Sequence, residues 1–407
     1  MTQVKYPLAE NALGMIPVAS RLEGIGEYYF SRKLREIEDL NKVGKKVINL
    51  GIGSPDLPPH PEVIRVLHEE SSRADTHAYQ GYKGLAIFRQ AIAIWYQQWY
   101  GVKVDPSTEV LPLIGSKEGI MHLCMTYLNA GDAALVPDPG YPTYQSAVRL
   151  AGGVPLTYSL TSETNWFPDF KTIENDLAQI KASGKKVKLM WVNYPHMPTG
   201  KLPTESLFKD LVAFGRKHNI LICHDNPYSF ILNEHPMSIL GVPGAWDTAV
   251  ELNSLSKAQN MAGWRVGMLL ANAQRIEEVL RFKSNMDSGM FQPVQMAAVK
   301  ALSLGKDWYV ELNNVYAKRR QKAIEVLDAV HCKPLPDQAG LFVWARIPAH
   351  YNSGYELSDE ILQAARVFIT PGGIFGEQGN NYLRISLCSK IEQFDEAIER
   401  IRAVKST

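Results

Sequence analysis

The sequence predicts an α/β protein. A large unit should hold a mostly parallel sheet flanked by helices, and a smaller α/β unit should be formed by the two chain ends. Three observations point this way. Short apolar runs alternate with helical patterns through the middle of the chain, the runs end in turn-forming residues, and the texture changes after residue 295. Strand–helix alternation of this kind favours a parallel sheet covered on both faces.

The runs are Ala133–Val136, ending at Pro137-Asp138-Pro139-Gly140; Val187–Val192, ending at Asn193-Tyr194-Pro195; and Leu221–Cys223, ending at His224-Asp225-Asn226-Pro227. Thr248–Leu252 ends at Asn253-Ser254, and Val266–Leu270 follows. Each has strand length and most close in polar, Pro or Gly residues. Between them Glu118–Leu128 and Thr204–His218 repeat apolar residues at helical spacing. A long helical stretch, Val294–Asp328, breaks near Gly305 and precedes strand-like Phe342–Ile347 and Tyr382–Ser386. The expected division is 1–60, packing with the small unit, then 61–294 for the large unit and 295–407 for the small one. Ligands of such sheets bind at the carboxyl ends of the strands, so the polar strand ends are the first candidates for chemistry.

The bulk numbers exclude several classes. With 407 residues, 45% hydrophobic and 21% charged, the chain can bury a large core without staples. Its net charge is +1 and it has no basic stripe, which argues against nucleic acid and membrane surfaces as partners. Cys124, Cys223, Cys332 and Cys388 are scattered without metal-ligand spacing and read as small buried hydrophobes. No metal site is expected. The first residues lack the roughly 7–15-residue apolar run of a signal peptide, and no run approaches the ~18 residues of a membrane span. A cytoplasmic protein is therefore expected.

Ser254-Leu255-Ser256-Lys257, with Arg265 eight residues on, is the strongest single signal. A lysine just past a strand end loses solvation and reaches neutrality more easily than a surface lysine, which suits a Schiff-base nucleophile. The two hydroxyls and the Arg265 fork offer donors for a phosphate dianion. Asp225-Asn226-Pro227-Tyr228 would bring a carboxylate into the same crevice, able to keep a pyridine nitrogen protonated. Taken alone, Asp225 serves equally well as a cap in a turn and Tyr228 as a core ring. Gly115-Ser116-Lys117-Glu118-Gly119 opens a helix, whose free N–H groups can receive an anion. Neither it nor Gly51-Ile52-Gly53-Ser54 has the spacing of a nucleotide-binding loop.

Together these features resemble the class I and II aminotransferases of the aspartate-aminotransferase-like family. The resemblance spans residues 45 to 390, with motifs in the family's order: Asn49–Gly53, Ala78–Gly81, Gly115–Lys117, Pro139–Pro142, Asn193 to Gly200, Asp225 to Tyr228, Ser254 to Arg265 and Tyr382–Ser386. It implies pyridoxal 5'-phosphate as cofactor and Lys257 as the Schiff-base lysine and proton shuttle. It pairs Asp225 with the ring nitrogen and Tyr228 with the phenolic oxygen. Ser116 and Lys117 (through backbone N–H), Ser254 and Arg265 would hold the phosphate, Tyr141 would stack on the ring, and Asn193 would belong to the cofactor site. Arg384 would grip the substrate α-carboxylate near Gly53. Tyr79 would reach the neighbouring subunit's phosphate, which implies a homodimer.

The pattern breaks at one place. Family members carry asparagine before Pro-Thr-Gly, and Met197 stands there, without a hydrogen to donate. The phenolic oxygen is then left to Tyr228 alone, or to His196 or a water. Lys283–Pro293 (KSNMDSGMFQP) resembles the branch named for LL-diaminopimelate aminotransferases. No arginine lies between Arg281 and Arg319, which argues against aspartate-type specificity, and Tyr28, Tyr29 and Asn285 are candidates for side-chain selection. The leading expectation is amino transfer from an L-amino acid to a 2-oxo acid by a ping-pong route. The alternatives are a C–S β-lyase using the same lysine, and a cofactor-binding regulator, for whose DNA-binding domain the first 45 residues leave little room.

Overall fold

The computed structural model describes residues 16, 18–22, 25, 29–182 and 184–405, so Tyr28 lies outside the described residues. A short strand, β1 (Ile48–Asn49), precedes the large sheet. That sheet holds β2 (Val110–Leu113), β3 (Ala133–Asp138), β4 (Val154–Ser159), β5 (Val187–Asn193), β6 (Leu221–Asp225), β7 (Ala249–Ser254) and β8 (Gly267–Leu270), in the order β2-β8-β7-β6-β5-β3-β4. All neighbours pair in parallel except β8, which is antiparallel to both β2 and β7.

Successive strand residues face opposite sides, so a sheet covered twice needs apolar residues at every position. In β5, Met190 and Val192 pack into one core while Leu189 and Trp191 pack into another. Helix Glu205–His218 shows the local signals at both ends: the Thr204 hydroxyl accepts from the Leu207 N–H at 3.0 Å, and Asn219 ends it with φ 56°.

Two features aim the sheet's polar edge. The parallel strands place their carboxyl ends together, and β8, running the other way, brings its amino end there too. Gly267 pairs with both Leu113 and Ser254, so Arg265, two residues earlier, arrives beside the residues that follow β2 and β7. Behind that edge, Glu251 of β7 is fully buried and accepts from Tyr96 Oη (2.8 Å), Ser238 Oγ (2.9 Å) and the Ile239 N–H (3.1 Å), and it pairs with His224 Nδ1 at 2.8 Å. A carboxylate satisfied this fully locks β6 to β7 one residue short of Asp225.

Beyond the sheet, helix Gln292–Leu302 packs on helices Pro61–Ser71 and Ala86–Tyr100. The long helix Lys306–Ala329 then leads to β9 (Lys333–Pro334), β10 (Phe342–Arg346), β11 (Val367–Phe368), β12 (Thr370–Pro371) and β13 (Tyr382–Ser386). Four of these form a second sheet in the order β12-β13-β10-β9. β1 pairs in parallel with β11, and Arg319 forks onto Asp56 at 2.6 and 2.8 Å. The early segment Ile48–Asp56 is thereby tied to the late part of the chain. Cys124, Cys223 and Cys332 are buried free thiols and Cys388 is half-buried. Among the described residues no helix is long and apolar enough to cross a membrane.

Candidate active site

A cavity of about 560 Å³ opens at the carboxyl edge of the large sheet, under the second sheet. Ser116, Lys117, Tyr141, Asn193, Asp225, Tyr228, Ser254, Lys257, Arg265, Arg384 and Gly53 all line it. Tyr79 does not: its ring is 94% exposed.

One end is a donor cup. Gly115 begins helix Ser116–Tyr127 with φ 78° and no side-chain cap, leaving the helix N-terminus open to an anion. Ser254 Oγ lies 2.9 Å from Ser256 Oγ, and Arg265 Nη1 donates to Ser256 Oγ at 3.4 Å and to the Ala262 carbonyl at 2.8 Å. The glycines are required by contact. A Cβ on Gly115 would stand 2.2 Å from Arg265 Nη2, and one on Gly267 would stand 2.6 Å from the Ser116 nitrogen.

The floor is Asp225, at the end of β6. Its Oδ2 accepts from Tyr144 Oη at 2.9 Å, while Oδ1 is buried with no hydrogen-bond partner. Burial pushes its pKa up to about 6, against the pull of the Tyr144 hydroxyl. Tyr144 is itself held flat on Trp191, 5.1 Å between centroids and 7° between planes. A raised folded pKa means that the ionised form is penalised. The penalty is absent below pH 3.8, grows as pH rises through about 6 and is constant above, at ~3 kcal/mol for two units. Cofactor-free Asp225→Asn should therefore resist urea better than the cofactor-free parent at pH 8, and the advantage should vanish by pH 4. Equal stability at both pH values would contradict the buried, unpaired Oδ1.

Lys257 Nζ donates to the Gly53 carbonyl at 3.1 Å and lies 5.9 Å from the Tyr228 ring. Burial lowers its pKa, making a neutral amine easier to reach. Arg384, 4% exposed, closes the far end. Its Nη2 donates to the Gly51 carbonyl at 2.8 Å, Nη1 lies 3.5 Å from Met197 Sδ, and Nε is buried without a partner. Phe342 and Phe375 lie 3.9 and 4.5 Å from its guanidinium. No carboxylate of the described residues pairs with it, and burial pulls its pKa down to about 9. A buried cation with a donor unpaired among the described residues has the chemistry to bind a carboxylate.

Three details refine the sequence reading. Asn193 uses its amide on backbone: Oδ1 accepts from the Met197 N–H at 2.8 Å and Nδ2 donates to the Asp225 carbonyl at 2.6 Å. It thus fixes the strand ends that carry the site. His196 does not replace the donor missing at Met197. Its Nδ1 pairs with Thr199 Oγ1 at 2.8 Å, it stays outside the cavity lining, and burial holds its pKa down to about 3. Asn285 is exposed and donates to the Arg281 carbonyl, away from the cavity of its own chain. Tyr144 is a site residue that the motifs left without a role, and its signal is its position one helical turn after Tyr141; Ser256, one of the two hydroxyls offered as phosphate donors, lines the cup beside Ser254.

An orphaned Asp225 Oδ1, a cationic cup at a helix N-terminus and a desolvated lysine between them fit the ring nitrogen, phosphate and aldehyde of pyridoxal 5'-phosphate. The comparisons agree. A model of the family described as aminotransferase class I and II matches residues 45–401. An LL-diaminopimelate aminotransferase of Dehalococcoides mccartyi is 39% identical, covering 96% of this chain and 99% of the relative. One from Halothermothrix orenii is 40% identical, covering 94% and 97%. The substrate-bound structure of BacF from Bacillus subtilis superposes with a TM-score of 0.89 at 34% identity, covering 96% of this chain and 98% of that one.

Proposed function

The chain belongs to the class I and II aminotransferases, enzymes that work with pyridoxal 5'-phosphate, and we propose that it transfers amino groups with Lys257 holding the cofactor and Arg384 holding the substrate. The observation that carries this assignment is the unpaired Asp225 Oδ1 in one cavity with Lys257 and with Arg384, whose Nε is also buried without a partner. Bound there, the cofactor supplies an aldehyde for the amino group and a pyridine ring that withdraws electrons from the substrate Cα.

The chain's residues do the rest. Asp225 Oδ1 would accept a hydrogen bond from the protonated ring nitrogen and so keep the proton on it, while Tyr144 orients the carboxylate. Ser116, Lys117, Ser254, Ser256 and Arg265 anchor the phosphate, and Tyr141 covers the ring. Tyr228 directs its hydroxyl to the phenolic oxygen without help from Met197. Arg384 forks onto the substrate α-carboxylate and so presents the Cα–H to Lys257. The Lys257 amine removes that proton and would return it to the carbon that carried the cofactor's aldehyde, and the half-reaction with a 2-oxo acid would run these steps in reverse.

Two structural readings accompany this one. The homodimer reading is supported by the exposure of Tyr79, on a segment held by the Gln80–Gly289 bridge, and in a dimer its hydroxyl would reach a neighbouring phosphate site. The packing of the first 60 residues with the small unit is supported by the β1–β11 pair and the Asp56–Arg319 fork, whereas position 295 falls within helix Gln292–Leu302, which packs on the large unit's helices.

The test mixes the loaded protein with L-amino acids, LL-diaminopimelate included, in the absence of any acceptor. Loss of the visible absorbance of the Lys257-bound cofactor, restored by a 2-oxo acid, is the expected result. Release of pyruvate and ammonia from thioether substrates, with no acceptor needed, would instead favour the β-lyase.

A further inference from the structure

Gly115, at the rim of the donor cup, can carry no Cβ because Arg265 fills that space. The turn at residues 113–118 thus contains the residue type with the most backbone freedom, yet an anion site gains affinity when its N–H groups are aimed in advance. One side chain supplies the constraint. Glu118, in the first turn of the helix, reaches back so that its carboxylate accepts from the Ile114 N–H, while its own N–H donates to the Gly115 carbonyl at 3.2 Å. Reciprocal bonds of this kind fix a helix start, and an ionised acceptor makes its bond about twice as strong as a neutral one.

An anion so close to the cup would by itself repel a phosphate. A buried cation answers it. Lys283 Nζ donates to Glu118 Oε1 at 3.1 Å, and His122 Nε2 lies 2.8 Å from the same oxygen. Lys283 is 1% exposed and is held on its far side by both oxygens of Asp287, at 2.6 and 2.7 Å. Its segment is fixed in turn by the Gly289 N–H, which donates to the Gln80 carbonyl at 3.2 Å. Burial alone would raise the Glu118 carboxyl, but His122, Lys283 and the Ile114 N–H hold it well below the usual carboxylate range. Neither Glu118 nor Lys283 lines the cavity, so both act from behind the cup.

We propose that Glu118 is a positioning residue for the phosphate: its carboxylate sets the turn that aims the start of helix Ser116–Tyr127, and Lys283 cancels its charge so that the cup still favours an anion. This role rests on the aminotransferase reading, in which the cup holds the cofactor's phosphate. Without the Glu118 acceptor the glycine turn is free to take other shapes, and the phosphate must then order it on binding. The rest of the cofactor makes no use of that turn, so the loss is confined to ligands that carry a phosphate.

The experiment uses the full-length protein stripped of cofactor and three ligands. Absorbance titration gives the affinity for pyridoxal 5'-phosphate and for pyridoxal, which lacks the phosphate, and inorganic phosphate is measured by competition with the former. Circular dichroism checks the fold of each variant. Glu118→Ala should weaken pyridoxal 5'-phosphate and inorganic phosphate about tenfold each and leave pyridoxal within about twofold. Glu118→Gln, whose amide oxygen can still accept from Ile114, should stay within about threefold of the parent for all three ligands. Lys283→Met, which uncovers the Glu118 charge, should weaken the two phosphate ligands about fivefold and again spare pyridoxal. Pyridoxal weakened as much as its phosphate, phosphate affinities unchanged by Glu118→Ala or Lys283→Met, or Glu118→Gln as weak as Glu118→Ala would overturn the role. If Glu118→Ala does not fold, Lys283→Met decides by the same comparison. A parent that binds pyridoxal as tightly as pyridoxal 5'-phosphate would instead refute the phosphate cup itself, and the reading on which Glu118 depends would fall with it.

Discussion

Lys257→Ala will lower the rate of amino transfer by about 10⁴-fold or more, because one nitrogen both holds the cofactor and moves the substrate proton. The side chain lines a cavity and its Nζ touches only the Gly53 carbonyl, so its removal leaves the phosphate cup, Asp225 and Arg384 undisturbed. The variant should keep its fold and its affinity for free phosphate while losing turnover. Lys257→Arg should be equally inactive, since a guanidinium stays charged at neutral pH and cannot serve as the base. Steady-state rates with circular dichroism as control check this. A loss below about tenfold would mean that another group performs the proton transfer.

Arg384→Gln should cost the second largest effect, a fall in kcat/KM of about 10²–10³-fold from the lost fork on the α-carboxylate. The expected signature is an accompanying absence of destabilisation. Arg384 is a buried cation paired with no carboxylate of the described residues, its pKa down to about 9, so without cofactor and substrate it is charged at pH 7 and destabilised by burial there. Because the folded pKa is lowered for a base, that penalty is present below pH 9 and fades only as pH rises through it. At pH 7 the Gln variant should be at least as stable as the parent in thermal melts, while its carboxylate affinity collapses. A variant that melts much earlier would show Arg384 to be a structural cation rather than a receptor.

The anchors were legible because they sit where chain chemistry changes. Asp225 and Ser254 end strands, Lys257 follows three residues after Ser254, and Gly115-Ser116 lies between a strand and a helix, so apolar runs pointed to them. Arg265 was legible as a residue but not as a placement. Its arrival at the cup depends on β8 running antiparallel, and a four-residue apolar run carries no direction. β4 was missed because Val154–Ser159 is an edge strand with partly exposed, mixed residues. The helix break near Gly305 was readable, since glycine there separates Gln292–Leu302 from Lys306–Ala329.

Side-chain partnerships were beyond the sequence. Nothing in the order of residues says that Asn193 spends its amide on two backbone groups, that His196 turns to Thr199, or that Tyr144 rather than Tyr141 braces Asp225. Such pairings are decided by which rotamers the packed core leaves open. The aromatic wall around Arg384 draws on residues from 30 to 384, assembled only when β10 and β13 meet and helix Tyr29–Lys42 lies across them. Met197 could be recognised as a departure, but its contact with Arg384 could not.

Borohydride reduction of the protein loaded with pyridoxal 5'-phosphate, followed by peptide mapping, tests the central claim most directly. Reduction fixes the cofactor to whichever amine holds it. The account predicts the phosphopyridoxyl group on the peptide containing Lys257, and there alone. Stable labelling of any other lysine, or none at Lys257 in protein that binds the cofactor, would contradict it.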